Sequence, residues 1–243
     1  MALPILETAT YELTLPSTDV QVKFRPFLVK EEKVLLQALE TQDQKQIIQA
    51  LKDIVSVCTF GVINVDELPT FDLEYVFLQI RAKSVGEVAK LKLLCPDDKE
   101  TYANVELDLS KVEVQVDDEH NNTIQINDKI KMVMRYPTID TFDPTIDASK
   151  LKTEQLFDII ANTVYEIYEG ETVHKASDYS KEEMKKFIES LTSDHFAKIQ
   201  KFFNTMPRLQ HELEIENPKT KVKSKVVLSG LQSFFVSPSH MTT

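Results

Sequence analysis

Two cysteines, five histidines and 39 acidic side chains are the residues that could ligate a metal ion or move a proton, and their spacing decides what they can do. Cys95 opens the turn Cys95-Pro-Asp-Asp98, which has the Cys-Pro start of a zinc knuckle, and a second hairpin turn reads Asn217-Pro-Lys-Thr220. A structural zinc site needs four thiolate or imidazole ligands, often supplied by two Cys-x-x-Cys turns. One thiolate among those four positions does not make such a site, so no bound metal is expected. Cys58 continues an apolar helical stripe and reads as a small buried hydrophobe. Two thiols without a disulfide framework suit a reducing compartment.

The histidines, at 120, 174, 195, 211 and 240, occur singly. His211-Glu212 lacks the second histidine four residues on that a metalloprotease helix requires. Asp117, Asp118, Glu119 and His120 could surround a divalent cation, but a charge run in a polar turn is more often a solvated surface. Asp140, Asp143 and Asp147 lack the central glycine of a calcium loop. No Gly-x-Ser-x-Gly elbow occurs. The four glycines, Gly61, Gly86, Gly170 and Gly230, are isolated. Phosphate-cradling loops need clustered glycines, so dinucleotide and P-loop readings fail. No catalytic, cofactor-binding or metal-ligating residue is expected. The carboxylates leave a metal-dependent or hydrolytic enzyme open as an alternative class.

Composition narrows the partners. The formal net charge of −11 opposes binding to phosphate backbones, so nucleic acid is not an expected partner. The first residues, Met1 to Glu7, lack a basic region and break their apolar run at Pro4, which argues against a secretory signal. No apolar run approaches the roughly 18–20 residues of a membrane helix, so no membrane association is expected.

Periodicity supplies the elements. Tyr11–Leu15 and Val20–Phe24 alternate around Pro16-Ser-Thr-Asp19 and predict a β-hairpin. Helical spacing follows from Lys30 to Cys58, with Thr41 and Asp43 as candidate caps, and again from Asp66 to Lys83. A second hairpin is expected over Leu91–Cys95 and Val105–Leu109, with Val112, Val114 and Val116 extending its strand pattern. Ile124–Ile126 and Lys131–Met134 are further strand candidates. Leu156, Ile159, Ile160, Val164 and Ile167 predict a helix stopping at Gly170. Ser180-Lys-Glu-Glu183 has capping-box form, Ser193 is the next cap, and Pro207 ends that helix. A third hairpin joins His211–Ile215 to Val222–Leu228.

The expectation is an α+β fold: an N-terminal hairpin plus helices, a central antiparallel β region, and a C-terminal helical segment closed by a hairpin. The segmentation expected is 1–135, a proline-bearing linker over 136–149, and 150–243. The second and third hairpins superpose in sequence at an offset of 122 residues, which sets Leu93 on Ile215, Pro96 on Pro218, Val105 on Val227 and Leu109 on Leu231. Both have the form of degenerate zinc-ribbon hairpins. The polar tract Asp117, Asp118, Glu119, His120, Asn121 and Asn122 is the candidate partner-binding surface, because loops carry recognition on a packed scaffold.

Several strings resemble one family: Phe24-Arg-Pro-Phe27 with Lys30-Glu-Glu-Lys-Val-Leu-Leu36; Leu68-Pro-Thr-Phe-Asp-Leu73 running into Arg81-Ala-Lys-Ser-Val-Gly86; Ile167-Tyr-Glu-Gly170; Phe187-Ile-Glu-Ser-Leu191; Phe202-Phe-Asn-Thr-Met-Pro207; and Gly230-Leu-Gln-Ser-Phe-Phe235. In that order they resemble the baseplate hub and hub-assembly proteins of T4-like contractile-tailed bacteriophages. The resemblance implies a role in building the central hub, as a component or as an assembly chaperone. Other hub proteins would be its partners, in the cytoplasm of the infected host and in the tail baseplate. It implies no active site. It also implies Cys-x-x-Cys at one or both hairpin turns, from which this sequence departs. A host-directed regulator that binds a cellular protein is a further alternative. Phe24, Leu35, Leu36, Phe187, Ile188, Phe202 and Phe203 are expected to be core positions.

Overall fold

The computed structural model describes residues 7–141 and 153–234. Six helices and eleven strands lie among them: β1 Tyr11–Thr14, β2 Gln21–Phe24, α1 Val29–Thr41, α2 Gln44–Cys58, α3 Thr70–Val85, β3 Val88–Leu94, β4 Tyr102–Asp108, β5 Glu113–Gln115, β6 Thr123–Gln125, β7 Ile130–Met134, α4 Thr153–Thr163, β8 Val164–Glu169, β9 Thr172–Lys175, α5 Lys181–Glu189, α6 Ser193–Thr205, β10 Arg208–Glu216 and β11 Lys223–Ser229. The sheets are small and antiparallel, which gives the α+β class that the alternation of periods predicts. Among the described residues no helix is long and apolar enough to cross a membrane.

The chain forms two compact units, one of residues 1–115 with 208–243, the other of 116–207. This division differs from the segmentation expected from composition. Residues 142–149 of the expected linker lie outside the described part, and the chain closes the first unit by pairing β5 with β10. Leu209 stands opposite Val114 in that pairing. The valines at 112, 114 and 116 therefore do not extend the second hairpin. A 3-10 turn over Leu109–Lys111 redirects the chain, and β5 adds to the third hairpin in the order β11-β10-β5.

In the first unit, β1 and β2 pair with Tyr11 opposite Phe24, and Leu13, Val22 and Phe24 point inward. Glu31 folds back onto the Leu28 N–H at 2.6 Å and takes Arg25 at 3.1 Å, closing the start of α1. Asp43 caps α2 by accepting from Lys45 N–H at 2.9 Å. Helix α3 is buried on nearly every side, including Asp72 and Glu74 in its first turns. Those two carboxylates survive burial because each has a donor. Asp72 takes the Ser17 N–H and hydroxyl, and Glu74 takes the Leu231 N–H at 3.1 Å.

In the second unit, β6-β7-β8-β9 form one antiparallel sheet. Ile124, Met132, Met134, Ile160, Val164, Ile188, Ile199 and Phe202 fill its core. The helix expected to run to Gly170 ends instead at Thr163, whose hydroxyl bonds back to the Ile160 carbonyl at 2.9 Å. Val164–Glu169 is strand β8, paired with β7 and, through a tight turn at Gly170, with β9. Gly170 sits at φ 59°, a left-handed conformation that glycine adopts without strain. Val164, Tyr165, Ile167 and Tyr168 favour a pleated, half-buried strand, while 164 and 167 alone also satisfy helical spacing. The α5 capping box forms as expected, with Ser180 N–H on Glu183 at 2.8 Å. The α6 cap is Thr192, one residue before the serine expected there.

Of the expected core residues, Phe24, Leu35, Ile188 and Phe202 are buried. Phe187 and Phe203 are half-buried and Leu36 is exposed. On α6 the core position is Phe202, with Phe203 set edge-on to it at 5.2 Å between ring centres.

Candidate partner-binding surface and the paired hairpin turns

The candidate tract from Asp117 to Asn122 precedes β6 in the second unit. Five of its six side chains are exposed. Asp117 shapes the turn by accepting from the Glu119 N–H at 2.8 Å, and its carbonyl accepts from His120 N–H at 2.9 Å. Asn121 does the same for the Thr123 N–H at 2.8 Å. Glu119 reaches Lys201 on α6 at 2.6 Å, with both side chains largely in water. Asp118 is the open charge of the tract: its side chain bonds no described residue.

His120 does not join that surface. Its Nδ1 lies 2.9 Å from Thr205 Oγ1 and its Nε2 lies 3.0 Å from Tyr136 Oη. The ring packs against Tyr136 and Phe202 at 5.6 and 5.4 Å between centres. Burial pushes its pKa below the usual histidine value, against the opposing pull of Asp117. A neutral ring suits this place, since two hydroxyls can satisfy either tautomer. No feature of the local sequence marks His120 as inward-facing. Its partners lie 16 and 85 residues away.

The other chemistry-bearing residues are dispersed. Cys58 is buried, and burial pushes its thiol up to about 11. His174 bonds Tyr179 Oη at 2.6 Å, and His195 takes part in the α6 cap. His240, Asp143 and Asp147 lie outside the described residues. Among the described residues no group of three or more histidine, cysteine or acidic side chains is arranged to hold a metal ion.

The fold does bring the two hairpin turns together. Asn217, 1% exposed, donates from Nδ2 to both carboxylate oxygens of Asp97, at 3.0 and 3.1 Å. Its Oδ1 accepts from the Lys219 and Thr220 N–H groups at 2.8 and 3.2 Å. The Thr220 hydroxyl adds a third bond to Asp97 at 2.5 Å. In the first turn Asp98 accepts from the Thr101 hydroxyl at 2.5 Å and from the Thr101 and Glu100 N–H groups. These bonds hold Asp97 below the usual carboxylate range, through Asn217 and then Thr220. They hold Asp98 further below it, through Thr101 first. Beneath the turns Cys95, Ala103 and Ile215 form a small apolar cluster with Leu93, Val105, Leu213 and Val226. Burial there, reinforced by the charges of Asp97 and Asp98, pushes the Cys95 thiol up. The donor set does not fit a structural zinc ion, because Cys95 alone offers sulfur among the four corner positions of the two turns.

No curated protein and no solved structure matched the chain. A protein-family model described as T4 bacteriophage base plate protein matches residues 8–236 of the 243. That span takes in every described element, so the chain belongs to the T4 bacteriophage base plate protein family.

Proposed function

We propose that this protein is a non-enzymatic, protein-binding component or chaperone in assembly of the baseplate hub of a contractile phage tail. Family membership across nearly the whole chain carries the reading. It is supported by side chains engaged in caps, turn closures and core packing, where a reaction would need convergent unpaired groups. The partners are other hub proteins, met in the infected host's cytoplasm and in the tail baseplate. The docking surface is the exposed charge at Asp117, Asp118 and Glu119 with the neighbouring Asn121 and Asn122, which suits a basic face on the partner.

The experiment combines Asp118→Lys with Glu119→Lys in the full chain and measures capture of tail proteins from infected-cell lysate at low and high salt. Asp117 is left in place because it closes the turn. The variant is expected to keep its circular dichroism spectrum and melting temperature, since an exposed ion pair such as Glu119–Lys201 contributes little in water. Capture of hub proteins is expected to fall at low salt, with the gap narrowing as salt screens the charges. Capture unaltered at every salt concentration would refute this surface. Mass spectrometry of purified particles against lysate separates a resident component from an assembly factor.

A further inference from the structure

The two hairpin turns have the same backbone geometry. In the first, Lys99 N–H bonds the Cys95 carbonyl at 3.0 Å and Lys99 sits at φ 55°. In the second, Lys221 N–H bonds the Asn217 carbonyl at 2.9 Å and Lys221 sits at φ 64°. The offset of 122 residues thus holds through both turns. It then drops to 121, because Cys95 N–H closes on Thr101 while Asn217 N–H closes on Val222. With that one-residue shortening, Val105 matches Val226 and Leu107 matches Leu228. Val105 and Val226 pack into the same apolar cluster, and Leu107 and Leu228 are each 5% exposed. The match of Val105 with Val227 expected from an unbroken offset fails for this reason: Val227 is turned out to solvent.

Positions 95, 98, 217 and 220 are then the four corners of two facing x-Pro-x-x turns. In a four-thiolate knuckle pair, sulfur atoms at those corners bind the ion and accept N–H groups from their own turns. Asn217 Oδ1 does the second of these jobs here, taking the N–H groups two and three residues on. The Asn217 amide and the Thr220 hydroxyl do the first, by gripping Asp97 from the opposite turn.

We propose that this is a metal-knuckle pair closed by hydrogen bonds: Asn217 and Thr220 clasp Asp97 where an ion would bridge the turns, joining hairpin β3–β4 to hairpin β10–β11 without metal. The departure from a four-cysteine pattern is thus a replacement of the cross-link and leaves the geometry of the turns intact. The clasp holds in the presence of chelators and under oxidising conditions, since none of its three side chains is a thiol.

Two measurements on the full chain test this. The native protein is dialysed against a strong chelator and its melting temperature compared with and without added zinc. No shift is expected, and a chelator-dependent fall would overturn the metal-free clasp. In the second, Asp98→Cys, Asn217→Cys and Thr220→Cys are combined with the native Cys95 and titrated with cobalt(II) under reducing conditions. One equivalent is expected to give the visible bands of tetrahedral thiolate coordination. Adding Cys95→Ala should weaken binding and shift that spectrum to that of fewer thiolates, and Cys58→Ala should leave it unchanged. If the triple variant is unfolded without metal, zinc should restore its circular dichroism spectrum, because a structural site supplies folding energy on binding. A folded triple variant that gives no tetrahedral spectrum, or one that stays unfolded with zinc, overturns the equivalence of the four corners.

Discussion

Asp72 offers a direct test of the electrostatics at the centre of the first unit. It is the third residue of α3 and fully buried, and among the described residues its carboxylate accepts from the Ser17 N–H at 3.2 Å and from the Ser17 hydroxyl. Burial pushes its pKa from 3.8 to about 6, outweighing both Ser17 bonds. An acid raised in the folded state opposes folding once it ionises. Well below pH 3.8 both states hold the proton and nothing is lost. From about 4 to 6 the unfolded chain releases its proton first, and this contribution falls as pH rises. Above 6 the penalty is complete. The gap of about 2 pH units corresponds to at most ~3 kcal/mol.

Asp72→Asn preserves shape, keeps an oxygen for the Ser17 N–H and offers an N–H to the Ser17 hydroxyl, but it cannot ionise. The variant is expected to exceed the native protein in stability at pH 7.5, by up to ~3 kcal/mol, with the advantage shrinking toward zero near pH 4. Urea denaturation of both proteins at four or five values between pH 4 and 8 measures this. A native protein that is more stable than Asp72→Asn at pH 7.5, by a margin that grows with pH, would refute the reasoning. The N-terminal dipole of α3 and the Ser17 bonds would then hold the anion more strongly than burial opposes it.

Phe202→Ala should destabilise the second unit by ~3–5 kcal/mol in thermal or chemical denaturation, and Phe203→Ala by clearly less, because only Phe202 is fully enclosed. Asn217→Ala should cost ~1–3 kcal/mol, since the Lys219 and Thr220 N–H groups lose their acceptor; an unchanged denaturation midpoint would show that the clasp contributes nothing. His120 has a pKa below that of a free histidine, so its contribution to stability should be lost as pH falls through ~6.5; His120→Phe should remove that dependence in the same denaturation series. Limited proteolysis should cut within 136–149 before it cuts within α6, and first cleavage inside Ser193–Thr205 would refute that ordering.

Local patterns carried most of the fold, and what they missed depends on distant pairing. The hairpins at β1–β2, β3–β4 and β10–β11 were legible because alternation and turn residues lie side by side in the chain. Asp43 and the Ser180–Glu183 box were legible for the same reason. The β8–β9 hairpin was hidden because Val164 and Ile167 satisfy a helix period as well as a strand, and the deciding partner is β7, some thirty residues earlier. Three residues of β5 pair with a strand more than ninety residues later, which no local signal announces. The exposed polar turn from Asp117 to Asn122 was legible as a polar run, but the inward turn of His120 was not, since its partners come from α6 and from Tyr136.

On the proposed reading, the hydrogen-bonded clasp lets the first unit dispense with an ion. A structural metal matters most where the surrounding core is too small to fold alone. Here the turns rest on their own apolar cluster, and the same unit contains α3, enclosed on nearly all sides and tied at its first turns to Ser17 and Leu231. With the core supplying the folding energy, the cross-link between the turns has only to set their register. Asn217 can do that because its amide oxygen accepts from donors of its own turn while its nitrogen donates to the carboxylate of the facing turn. A carboxylate at 217 would keep the acceptor but face Asp97 with like charge, and an alanine would keep neither bond. The amide at this position is therefore the residue on which the metal-free arrangement depends.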